Sequence, residues 1–276
     1  MPGQSSMHTE SLYQAARECL LCDDLEQKLT LSDATAAAWR SGELELSGWC
    51  AADEIKEAGR PACPELVHPS RLARRGLGSE AGRLALIHAI AHIEFNAINL
   101  AWDAVQRFPD LPPEFYDDWI QVAVEEVYHF RLLRQRLRDG GADYGDYPAH
   151  NGLWEMAVRT ARDPLLRMAL VPRMLEARGL DVTPGIMERF RAIGDEQTVA
   201  CLQVILDEEV GHVRFGSRWF HYLCEQRGLE PEATYFDLLE QFLNGGMRCP
   251  LHQQARLEAG FSPQELERLE RLCARK

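Results

Sequence analysis

Val124-Glu-Glu-Val-Tyr-His-Phe-Arg131, "VEEVYHFR", lies in the middle of a long helical pattern, and 83 residues later the chain repeats it as Leu206-Asp-Glu-Glu-Val-Gly-His-Val-Arg214. Both stretches contain Glu-Glu-Val-x-His-x-Arg. On a helix, a glutamate and a histidine three residues apart lie on neighbouring turns of one face, so their heads converge. Glu126 with His129 and Glu209 with His212 are two such pairs. A glutamate buried in a helix core is costly unless it is paired or binds a metal. Two Glu-x-x-His pairs, with one glutamate from each of two further helices, form the ligand set of a dinuclear iron or manganese site in a four-helix bundle.

The two single glutamates are found by helical register. In an antiparallel hairpin, residues at one height are equally far from the turn. The midpoint of Glu94 and Glu126 is Asp110, inside the helix-breaking "FPDLPP". Glu176 and Glu209 have their midpoint between Ala192 and Ile193, beside Gly194. Glu155 in "GLWEMA" competes with Glu176, because its midpoint with Glu209 also falls among breakers, near Gly179 and Pro184. Glu176 is preferred, since Asp163-Pro164 reads as a helix cap separating Glu155 from the third long helix. The candidate metal ligands are therefore Glu94, Glu126, His129, Glu176, Glu209 and His212. Glu125 and Glu208 should point elsewhere, towards solvent or arginine, while Asp207 is placed to receive the proton of a ligating histidine. His88 and His92 read as core or supporting histidines, and Tyr128 as a packing residue.

The rest of the chain is patterned for helices almost throughout. Residues 7–38 read as one or two helices, with Ser32-Asp33 as the cap between them. Residues 41–78 hold five glycines and three prolines and read as an extended connection. Long helices follow at about 79–108 and 114–139. A looser connection at 142–162 has a short helix near Trp154. The third long helix starts at Asp163-Pro164, is kinked at Pro172 and reaches Gly179. A further turn of helix runs from Pro184 to Ile193, and the fourth long helix runs from Gly194-Asp195 to about Gly228. Helices at roughly 231–244 and 262–274 finish the chain. The expected fold is all-α: a four-helix bundle at 79–228 with a long crossover between its second and third helices. An N-terminal extension (1–78) and C-terminal helices (229–276) flank it.

The 276 residues are 46% hydrophobic and 26% charged, with a net charge of −13. This is globular composition, and the charge argues against a broad nucleic-acid surface. Two local clusters, Arg71/Arg74/Arg75 and Arg131/Arg134/Arg136/Arg138, read as solvated faces. The eight scattered cysteines, without an apolar leader segment, predict free thiols in a reducing cytoplasm. No run of 18 apolar residues predicts a membrane span, and no G-x-S-x-G or glycine-rich phosphate loop supports nucleophilic or nucleotide chemistry.

With "HAIAHIE", "EEVYHF", "DYGDYPAHNGLWE", "PRMLEARGLDVTPG" and "DEEVGHV", the chain resembles, over roughly residues 10–275, the ferritin-like proteins of a domain-of-unknown-function family. More distantly it is similar to the di-iron hydroxylase that modifies isopentenyl-adenosine in tRNA, where a comparable glutamate-alanine-arginine segment carries a metal ligand, which favours Glu176 over Glu155. The resemblance implies a ferritin-like fold and two iron ions, with manganese or a mixed pair as the variant. The expected function is a dioxygen-activating oxidoreductase acting on a small organic molecule, with an electron donor that the residues do not identify. Iron handling without an organic substrate and a non-enzymatic scaffold are the alternatives. The resemblance raises tRNA as a substrate and the net charge disfavours it; extra terminal helices can serve a homodimer.

Overall fold

The computed structural model describes residues 10–49, 55–72, 76–242 and 249–273. Arg74, Arg75, Cys50 and the predicted helix ends at 243–244 and 274 lie outside them. Among the described residues the fold is all-α apart from one short strand pair and an isolated bridge between Leu66 and Ala149. Its Cα packing divides it into two units: residues up to 63 with 95–127, and residues 64–94 with 128–276.

In the first unit, β1 (Glu10–Ser11) pairs in parallel with β2 (Leu44–Glu45). Between them run α1 (Leu12–Leu21) and α2 (Leu25–Arg40). The predicted cap at Ser32-Asp33 is replaced by Asp24, whose side chain accepts from the Gln27 amide at 2.8 Å. Ser32 instead sits buried within α2. Its hydroxyl donates to the Lys28 carbonyl and accepts the indole N–H of Trp102. Lys28 is fully buried, and its ammonium donates to the Cys19 and Leu20 carbonyls at the end of α1 and to Asn99 Oδ1. A buried ammonium needs such a set of acceptors. This unit also holds the later part of α3 (Glu80–Arg107) and the earlier part of α4 (Pro113–Asp139). They are joined at Asp110, a non-glycine residue with φ of 64°. Tyr116 closes the joint by donating to the Phe108 carbonyl at 2.9 Å.

The second unit holds α5 (Gly152–Arg159), α6 (Pro164–Leu170), a π-helical turn (Val171–Glu176), α7 (Ala177–Arg191) and α8 (Glu196–Gln226). α6, the π turn and α7 all pack on α8. Asp163 caps α6 as expected, accepting from the Leu165 amide, and Asp195 caps α8 through the Thr198 amide. The predicted break between Gly179 and Pro184 is absent, because α7 runs through Pro184. Tertiary bonds hold the chain helical there: Asp181 receives the Arg256 guanidinium at 2.7 Å and the His252 amide at 2.9 Å. α9 (Pro231–Phe242), α10 (Gln253–Glu258) and α11 (Pro263–Cys273) complete the unit, α10 being unforeseen. Cys249 and Cys273 form a disulfide, with Cα atoms 6.0 Å apart. This corrects the expectation of eight free thiols, since α11 carries back to Cys249 a cysteine 24 residues distant in sequence. α3 has the length and hydropathy of a membrane span, but 72% of its most apolar window is buried in the fold.

Candidate metal centre

α3 presents Glu94, α4 presents Glu126 and His129, and α8 presents Glu209. One ligand atom from each lies within 4.8 Å of the others, and this group could hold a metal ion. Glu94, Glu126 and His129 are buried. Glu126 precedes His129 by three residues on the uninterrupted α4, so helix geometry alone fixes that pair. His129 Nδ1 stands 3.6 Å from Glu94 Oε2, too far for a hydrogen bond. On α8, His212 Nδ1 is likewise 3.6 Å from Glu209 Oε1, and its ring lies 5.8 Å from that of His129, centre to centre. The second oxygen of Glu209 is buried with no hydrogen-bond partner. A buried carboxylate oxygen left in this way is destabilising until a proton or a cation reaches it. Carboxylate oxygens with imidazole nitrogens make a donor set suited to iron, manganese or zinc.

Glu208 was expected to point away, yet its Oε2 lies 2.7 Å from His129 Nε2. With Nε2–H donated to Glu208, the neutral ring keeps the lone pair of Nδ1 turned towards Glu94. Glu208 therefore takes the supporting role assigned by sequence to Asp207, which instead accepts from the side-chain Nε2 of Gln203 at 2.8 Å. The available signal was the doubled acid of each motif: one carboxylate points inward, and its neighbour can reach across to another helix.

Glu176 is the last residue of the π turn and is half-buried; it is not one of the four residues that converge within 4.8 Å. Its competitor Glu155 is exposed on α5. His92 accepts the Tyr144 hydroxyl at Nδ1 (2.8 Å) and faces the His150 carbonyl with Nε2. His88 is fully buried, accepts the Gly145 amide at Nε2 and stacks on Tyr144. Burial lowers the pKa of His88 from 6.5 to about 4, against the opposing pull of Asp146. These two histidines thus anchor the 144–150 connection to α3, and sequence did not reveal Tyr144 as their partner. Tyr128 is 47% exposed and faces away from the cluster. Three arginines of α4 are engaged by acids: Arg134 and Arg138 by Asp143, and Arg136 by Asp139 and Asp195.

A Haemophilus influenzae protein described as an uncharacterized protein is 44% identical over 217 residues, spanning 76% of this chain and 75% of that relative. No solved structure matches. The family described as "Protein of unknown function (DUF455)" matches residues 21–267, nearly the whole chain with all the candidate ligands, and the chain belongs to that family.

Proposed function

We propose that the chain is a ferritin-like di-iron carboxylate protein and works as an oxidoreductase, using dioxygen to hydroxylate or oxidise a small organic molecule. The observation that carries this reading is the convergence of Glu94, Glu126, His129 and Glu209 within 4.8 Å, on three long helices. His212 beside Glu209, and Glu176 on the helix antiparallel to α8, would complete a set of four carboxylates and two histidines. When bound, iron supplies the electrons that activate dioxygen. The chain's own residues hold and orient it. Glu208 fixes the tautomer and the ring plane of His129. Burial of Glu94 and Glu126 keeps bulk water from the donor atoms. Carboxylates, unlike imidazoles, can move between one-oxygen and two-oxygen binding as the charge they face changes.

The test is the metal content of protein purified under iron-replete conditions, with optical spectra after anaerobic Fe(II) loading and again after air exposure. The expected result is about two irons per chain and an absorption band that grows on oxygenation and is lost in Glu126→Ala. Substoichiometric metal with no response to oxygen would overturn the reading.

A further inference from the structure

The π turn between α6 and α7 is held from two sides. On one side, Pro172 lies against Gly216 of α8, where an added Cβ would overlap Pro172 Cβ and Cγ. No residue but glycine leaves room there. Pro172 and Gly216 are equally far in sequence from Gly194, the φ +78° turn that joins α7 to α8. Four residues nearer that turn, the same register sets Glu176 opposite His212. Gly216 and His212 share a face of α8, being four residues apart. Pro172 and Glu176 fall on nearly the same side of a helix wound with i→i+5 bonds, such as the one from the Ala177 amide to the Pro172 carbonyl. The contact between Pro172 and Gly216 therefore sets where Glu176 meets α8.

On the other side, Arg173 is fully buried. Its guanidinium is enclosed by Phe220, Tyr235 and Phe261 at 4.8, 4.4 and 4.6 Å from the ring centres. It donates to Glu265 Oε1 at 2.7 Å. The other oxygen of Glu265 accepts the Ser262 amide, while Ser262 Oγ accepts the Glu265 amide, a reciprocal cap at the start of α11. The Arg173 carbonyl accepts the Tyr235 hydroxyl at 2.9 Å. The winding of the π turn is thus bonded to α9 and α11 as well as seated on α8.

We infer that this turn is a positioning device: Gly216, Arg173 and Glu265 are positioning residues that aim Glu176 at the face of α8 bearing Glu209 and His212. The inference rests on the reading of Glu176 as a metal ligand. The widened winding turns residue 176 relative to α6, as a regular helix through Pro172 would not. π turns of this kind recur at functional sites.

Anaerobic Co(II) titration of the full chain, followed by visible spectra, tests this directly, with thermal unfolding as the check on folding. Glu176→Gln is the ligand control. Gly216→Ala is expected to weaken Co(II) binding at least about tenfold and to change the spectrum, as Glu176→Gln does. Glu265→Gln is expected to weaken it at least about threefold with the same direction of spectral change, and it carries the test alone if Gly216→Ala does not fold. Wild-type affinity and spectrum in Gly216→Ala and Glu265→Gln, beside a strong effect of Glu176→Gln, would overturn the positioning role and leave Glu176 a ligand. No effect of Glu176→Gln overturns the inference at its base. The di-iron reading would still stand if Glu126→Ala abolishes binding.

Discussion

Glu208 Oε2 and His129 Nε2 lie 2.7 Å apart, across two helices whose pairing residues are 79 positions apart in sequence. A carboxylate on the far nitrogen of a ligating imidazole raises its basicity and holds its ring. Glu208→Gln is expected to weaken metal binding by about 10–100-fold. The fold should survive, because Glu208 is partly exposed. Competition against a chelator of known affinity measures this; unchanged affinity would show that His129 needs no such support.

Lys28 should be among the least replaceable residues outside the metal centre. Lys28→Met keeps the length of the side chain but strands the Cys19 carbonyl at the end of α1 and the amide oxygen of Asn99, while the Leu20 carbonyl keeps the Gly59 amide at 2.9 Å. Buried acceptors without donors put the cost at about 3 kcal/mol. Urea unfolding monitored by circular dichroism reads it out, and a loss below about 1 kcal/mol would contradict the account.

Two glycines should respond oppositely to alanine. At Gly59 an added Cβ would overlap the Leu21 and Cys22 carbonyl groups, backbone atoms that cannot step aside, so Gly59→Ala should destabilise by about 2 kcal/mol. At Gly185, inside α7 with nothing within 4 Å, alanine should stabilise by about 0.5–1 kcal/mol. Melting temperatures of the two variants should lie on opposite sides of the parent.

His88 predicts an acid-side loss of stability. The unfolded chain takes up a proton near pH 6.5, which the folded chain refuses until about pH 4. Stability from this group is therefore complete above pH 6.5 and declines as the pH falls to 4, by at most about 3 kcal/mol. Denaturant midpoints at pH 7 and pH 5 should converge in His88→Gln relative to the parent; equal slopes in both proteins would sink the assignment.

The long helices were legible because their signals are local and repeated. α3, α4 and the start of α8 fall within two residues of the positions expected from "FPDLPP", Gly140-Gly141 and Gly194-Asp195. The convergence of Glu94, Glu126, His129 and Glu209 was legible through spacing combined with hairpin register. What failed was decided by distant partners. Ser32 looks like a cap in isolation, but Trp102 and Lys28 bind its hydroxyl within a helix. Pro184 looks like a start, but Asp181 is bonded to α10. Glu208 looks like a surface acid until His129 is brought beside it from α4. The pairing of Cys249 with Cys273 left no trace in spacing, since it depends on where α11 returns.

Glu94 has a second consequence, for how the chain is made. It sits near the middle of α3, a 28-residue helix apolar enough to resemble a membrane span, and α3 leaves the ribosome before the rest of the fold exists to bury it. An acidic side chain at the centre of such a segment adds about 2.5–3.5 kcal/mol against insertion into a bilayer. The same carboxylate that joins the candidate metal-binding group thus also disfavours insertion of the nascent helix into a bilayer. Replacing it with leucine would remove both functions at once, so glutamine is the substitution that separates loss of a ligand from misrouting of the chain.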